Sequence, residues 1–164
     1  MTDRRNKARP HKGQSFTGPV FALCAFGLLA GPPVLGNNPE ITVFKTPACG
    51  CCGKWVKHLE ANGFDVTTHQ RNDLSDIKKE NHITPDLSSC HTAFVDGYVV
   101  EGHVPADVIF RLLKERPDVV GITVPGMPAG SPGMEIESGF VQPYEVLTFD
   151  ADGNTEVFMG SEPN

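Results

Sequence analysis

Ile41-Thr42-Val43-Phe44-Lys45-Thr46-Pro47-Ala48-Cys49-Gly50-Cys51-Cys52-Gly53-Lys54-Trp55 is the stretch on which the reading of this chain turns. Ile41 to Lys45 has the β-branched and aromatic content of a strand, and Pro47 closes it. Three thiols follow within four residues: Cys49, Cys51 and Cys52. Trp55, Val56 and Leu59 then repeat at helical spacing, and Asn62-Gly63 is a helix stop. A strand therefore delivers three cysteines into the first turn of a helix. Unpaired backbone N–H groups and the helix dipole favour thiolate there, and Lys54 and Lys57 add positive charge.

Working outward, Phe64 to His69 alternates as a second strand. Asp73 or Ser75 caps a short helix through Ile77, Lys78, Lys79 and Glu80. Thr84-Pro85-Asp86 is a turn. Thr92 to Val95 and Tyr98 to Glu101 form a hairpin about Asp96-Gly97. Pro105 to Arg116 is a helix with Val108, Ile109, Leu112 and Leu113 on its apolar face. The order strand, helix, strand, helix, hairpin, helix predicts an α/β fold with a thioredoxin-like core. Gly121 to Gly139 follows as a long loop rich in Gly, Pro and Met, a length that in compact domains marks functional or disordered segments. Tyr144 to Asp150 and Thr155 to Met159 make a C-terminal hairpin about Asp152-Gly153.

The chain has 164 residues and a net charge of −6. Arg4, Arg5, Lys7, Arg9 and Lys12 crowd the first dozen positions against Asp3 alone. An apolar stretch from Phe16 to Ala30, which contains Cys24, comes next, followed by a Gly/Pro linker. A basic head, an apolar segment and small residues predict a signal peptide or N-terminal membrane anchor over residues 1–36, with the domain at 37–164. Membrane association is expected only if that segment stays uncleaved. The domain is then expected to be exported, either free or tethered. Nine basic against nineteen acidic residues remain beyond the first dozen. That acidity argues against a nucleic-acid partner, which requires clustered Lys and Arg.

The thiols admit two chemistries. Cys49 and Cys52 have the C-x-x-C spacing of disulfide exchange, but Cys51 sits between them as a competing nucleophile. Cys90, in Ser89-Cys90-His91-Thr92, precedes the first hairpin strand, a position that usually holds proline in thioredoxins. In such a fold it faces the helix start, and all four thiols converge. Four soft ligands suit Cu(I), zinc or an iron–sulfur cluster. Zinc sites usually come as paired C-x-x-C knuckles, and one pair is present. Adjacent Cys51 and Cys52 bridge separate ions more readily than they share one, which fits a copper site with more than one ion. His103, Met127 and Met134 are further candidate copper ligands, and His91 is a weaker one because strand alternation turns it away. Structural disulfides are the bland alternative, yet three thiols in one turn staple nothing. His58 and His69 are expected at the surface and Trp55 in the core.

Thr46 to Trp55, Ser89-Cys90-His91-Thr92-Ala93, Tyr98 to Pro105 and Val124 to Met134 together resemble the CopG-like metal-binding proteins of bacterial copper and metal resistance clusters. The resemblance covers nearly all of residues 40–160. It implies a thioredoxin-like domain, export to the periplasm and copper binding through Cys49, Cys51, Cys52 and Cys90. His103, Met127 and Met134 match the family motifs as well. Copper ions are the implied partner, and another periplasmic copper-handling protein is a further candidate, although nothing in the sequence names it. Thiol–disulfide exchange through Cys49 and Cys52, or copper-centred redox activity, stays open beside simple binding.

Overall fold

The computed structural model describes residues 38–160. The expected signal or anchor over residues 1–36, with Cys24, lies outside them. Among the described residues, no helix is long and apolar enough to cross a membrane. The elements run β1 (Glu40–Lys45), α1 (Gly50–Ala61), β2 (Asp65–Gln70), α2 (Ser75–Glu80), a 3-10 turn (Pro85–Leu87), β3 (His91–Val95), β4 (Tyr98–Glu101), α3 (Ala106–Glu115), β5 (Gly121–Thr123), β6 (Glu145–Phe149) and β7 (Thr155–Gly160). The fold is mixed α/β, built on one seven-stranded sheet in the order β2-β1-β3-β4-β5-β6-β7.

The strand–helix–strand–helix–hairpin–helix order expected from the sequence is the order observed. β1 and β2 run parallel, joined across α1, while β3 pairs antiparallel with both β1 and β4. The β3–β4 turn places Asp96 at φ 46° and Gly97 at φ 86°, the left-handed pair that a two-residue hairpin requires. Asp73 braces the entry to α2 by accepting the Ser75 N–H at 2.9 Å, although Leu74 occupies the cap position.

Pleat alternation sorts the strand residues onto two faces. Ala93, Val95 and Val100 join Trp55 and Leu59 of α1 and Val108, Ile109 and Leu112 of α3 in one buried cluster. Val99 and Phe149 join Ile83 and Leu87 in a second cluster, with Phe94 packed against it. The sheet is therefore covered by α1 and α3 on one face and by the chain from α2 through the 3-10 turn on the other. This division decides which side chains reach the thiols.

One strand was not expected. Gly121–Thr123, placed by the sequence at the start of the Gly/Pro loop, forms β5 and pairs parallel with β4. It joins the C-terminal hairpin β6–β7 to the sheet. Residue 121 must be glycine because a Cβ there would lie 2.1 Å from the Val99 carbonyl oxygen.

Candidate metal centre

The first turn of α1 presents the helix-borne thiols. Cys49 is the N-cap residue, and its Sγ accepts the Cys52 N–H at 3.3 Å, which satisfies one of the donors a helix start leaves unpaired. Cys52 faces inward and is buried, whereas Cys49 and Cys51 are half-buried. Cys49 and Cys52 are joined in a disulfide, and Cys51 and Cys90 are free. Cys51 Sγ lies 3.4 Å from Cys49 Sγ, and Cys90 Sγ lies 3.4 Å from Cys52 Sγ. All four sulfurs fall within 4.8 Å of one another.

Cys90 also belongs to a second cluster. Its Sγ lies 3.1 Å from His103 Nε2 and 3.3 Å from His91 Nδ1, and these three ligand atoms likewise lie within 4.8 Å of one another. Both imidazoles are fully buried. Burial lowers the pKa of each ring. For His91 the neighbouring His103 and Lys78 push the same way, while for His103 the Pro132 carbonyl and Glu135 oppose the shift. A neutral His103 donates Nδ1–H to the Pro132 carbonyl at 2.8 Å, which leaves the Nε2 lone pair facing Cys90. That is how a metal-ligating histidine is usually oriented. The Cys90 thiol is pushed up to about 12, by burial first and by Cys51 next, so it is protonated at neutral pH.

His91 departs from the expectation that it would turn away. It lies on the α1 face of β3, where its ring packs 4.3 Å from Trp55 and 4.9 Å from His103, centroid to centroid. Within β3 His91 shares the face of Ala93 and Val95, and alternation does not extend to Cys90, because the β3 ladder begins at the pair Lys45–His91 and Cys90 precedes it. Among the described residues, His91 Nε2 is a buried polar atom without a hydrogen-bond partner.

The long loop reaches the centre through its backbone. Pro132 supplies the carbonyl that holds His103, and Gly133 lies against the start of α1. A Cβ on Gly133, whose φ is +84°, would stand 2.8 Å from both the Cys51 carbonyl oxygen and the Trp55 nitrogen. Met134 follows at once and is half-buried, its N–H bonded to the Ser131 carbonyl at 2.8 Å. Met127 is 54% exposed and lines a surface groove with Pro143 and Tyr144. The structure thus gathers the four cysteines with His103 and adds His91, while Met127 projects largely into solvent.

Trp55 is fully buried, and its Nε1 donates to the Val104 carbonyl at 2.8 Å. His58, expected at the surface, is instead half-buried and accepts the Ala106 N–H at 3.1 Å, capping α3. His69 is exposed and stacks on Phe44. Sequence reasoning missed Glu101 and Lys78. Glu101 is completely buried, paired with Lys78, and bonded to the segment that carries Cys90. The signal for it was a carboxylate ending the apolar run Tyr98-Val99-Val100-Glu101.

With the Cys49–Cys52 disulfide reduced, four sulfurs and two imidazoles form a soft donor set, suited to Cu(I) or zinc and ill suited to hard cations. A family model described as a protein of unknown function, DUF411, matches residues 87–134, the segment from the 3-10 turn through the loop. No curated protein matches by sequence. Two solved structures match over almost their whole length. A copper resistance protein CopG, form 2, is 45% identical, with 76% of this chain and 99% of that chain covered and a TM-score of 0.72. Form 1 is 44% identical, with 77% and 99% covered and the same TM-score. With that identity carried across nearly all of the CopG structures, the chain belongs to the CopG family of copper resistance proteins.

Proposed function

We propose that this protein binds copper as Cu(I) in the periplasm and serves copper resistance or homeostasis. The observation that carries the reading is the convergence of four cysteine sulfurs within 4.8 Å, with Cys90 Sγ 3.1 Å from His103 Nε2. Cys49, Cys51, Cys52 and Cys90 are the proposed ligands, with His103 beside them and Met127 and Met134 as outer candidates. Adjacent Cys51 and Cys52 favour thiolates that bridge more than one ion. The block β2-β1-β3-β4, with a parallel first pair and antiparallel partners, supports reading residues 37–164 as a thioredoxin-like core extended by the loop and the β6–β7 hairpin. Residues 1–36 then serve as export signal or anchor. A periplasmic copper-handling protein is the partner this role requires.

Copper is the cargo, and the chain prepares the ligands. Exchange of the Cys49–Cys52 disulfide with an external dithiol, which is itself oxidised to a disulfide, yields two thiols. Each thiol that ligates Cu(I) then gives up its proton. His103 needs no such step, because its Nδ1 proton is already placed on Pro132.

The disulfide also favours a second reading, in which the centre performs redox chemistry. Thiol–disulfide exchange through Cys49 and Cys52 is one form of it. Copper-coupled oxidation is the other: two Cu(II) ions take the two electrons of the Cys49 and Cys52 thiols, giving two Cu(I), the disulfide and two protons. Metal analysis with X-ray absorption on anaerobically purified protein tests the main reading. More than one copper per chain in sulfur-rich coordination is expected. Full copper loading after serine replaces all four cysteines would sink it. Insulin reduction by metal-free reduced protein, dependent on Cys49 and Cys52, tests the exchange reading, and its absence removes that reading.

A further inference from the structure

A buried polar cluster behind Cys90 is unused by the copper reading. Glu101 ends β4 and is fully buried. Its Oε1 accepts the Ser89 N–H at 2.6 Å and also the Lys78 ammonium. Its Oε2 accepts the Thr92 hydroxyl at 2.7 Å. Lys78 reaches in from α2 and donates in addition to the Ser89 carbonyl at 3.1 Å and to Thr92 Oγ1 at 3.3 Å. One ion pair therefore grips the chain on both sides of Cys90-His91.

The placement follows from the pleat. Thr92 and Glu101 are register partners in the β3–β4 ladder. Alternation sets Glu101 on the face of Val99, toward α2, whereas the helix-borne thiols belong to the α1 layer. Both carboxylate oxygens are already engaged, so Glu101 acts on the backbone that carries a ligand and is not itself one. Ser88 to Cys90 lies ahead of the β3 ladder and has no strand partner there to hold it.

Energetics favour a positional role over a stabilising one. Burying two charges costs several kcal/mol per ion, and an apolar pair of similar volume often serves stability as well or better. A buried Glu–Lys pair beside a ligand-bearing segment is better explained by where it puts that segment.

We propose that Glu101, held by Lys78, is a positioning residue that fixes Cys90 Sγ against the cysteines of α1. Its consequence for copper rests on the reading above, whereas its effect on Cys90 can be measured without metal. The test uses the full-length chain with Glu101→Leu and Lys78→Met made together, so that no lone charge is left buried. The pair is placed in the native and in the Cys90→Ser background. Thermal unfolding reports folding. Iodoacetamide labelling of the metal-free protein, read peptide by peptide, reports access to Cys90. Competition with a colorimetric chelator reports Cu(I) affinity.

The folded double variant should label at Cys90 about tenfold faster, as the thiol leaves its burial. Its Cu(I) affinity should fall about tenfold or more in the native background, the size of a lost supporting interaction. In the Cys90→Ser background the same pair should change affinity by less than about twofold, because its effect passes through Cys90. Equal losses in both backgrounds, or unchanged labelling of Cys90, would overturn the proposal. If the double variant does not fold, Glu101→Gln replaces it. The amide keeps the acceptor for Ser89 and loses the charge, and it should still speed Cys90 labelling by about threefold. Unchanged labelling in that variant likewise overturns it. If the native protein binds no copper, the copper reading fails, and labelling alone judges the positioning.

Discussion

The two sides of the centre are held by different means. Cys49, Cys51 and Cys52 sit on one helical turn, and local geometry places them: Cys52 N–H caps back to Cys49 Sγ three residues away. Cys90 stands ahead of its strand and is placed by contacts far apart in sequence, with α2 through Lys78, with β4 through Glu101 and with the loop through Gly126. Local placement tolerates change around it. Placement by distant contacts fails when any one of them is disturbed.

Glycines on the two sides should show this contrast most strongly. Gly102, at φ +76°, lies where a Cβ would stand 2.6 Å from both Ser89 Cβ and the Val124 carbonyl oxygen. Gly102→Ala should cost about 3 kcal/mol or more in chemical denaturation, through left-handed strain and a backbone clash, and should disorder Cys90. Gly50, between Cys49 and Cys51, has open space around it, with nothing within 4 Å of where a Cβ would stand. Gly50→Ala should change stability by less than about 1 kcal/mol. Equal losses at the two positions would erase the contrast.

Next in size is His103. His103→Ala should weaken Cu(I) binding about tenfold or more, measured by chelator competition. An unchanged affinity would remove His103 from the ligand set.

A third outcome concerns protons. With its pKa pushed up to about 12, Cys90 stays a thiol at neutral pH, so its coordination must release a proton. Calorimetry in buffers of different ionisation enthalpy should count fewer released protons for Cys90→Ser than for the native chain.

The smallest effect lies away from the thiols, at the cap of α3. Burial lowers the His58 pKa, and the neutral ring accepts the Ala106 N–H. The unfolded chain binds the proton more readily, so the contribution of His58 is complete above about pH 6.5 and is lost as pH falls through its lower folded value. His58→Ala should cost about 1 kcal/mol at pH 8 and less at pH 5, by denaturation at each pH.

Much of this was legible in the sequence because it is local. The strand into Pro47, the helix stop at Asn62-Gly63 and the turn at Asp96-Gly97 each announce themselves within a few residues. The meeting of Cys90 with the helix thiols was legible once the element order was in hand. β5 was hidden because three residues carry no period, and its identity comes from β4 and β6 on either side. The face of His91 was misjudged because alternation applies within a ladder, and its neighbour Cys90 lies outside one. The Pro132 carbonyl was invisible in principle, since every residue has one and its aim depends on the path of the loop.

Trp55 carries a consequence of another kind. It is the single tryptophan of the chain, it is fully buried, and its ring packs against His91 beside the thiols. Its indole fluorescence, excited selectively beyond the tyrosine band, therefore comes from one fixed location in the wall of the centre, with no second tryptophan to blur it. Quenching of that emission gives an optical gauge of what enters the site, with no dye attached to any cysteine.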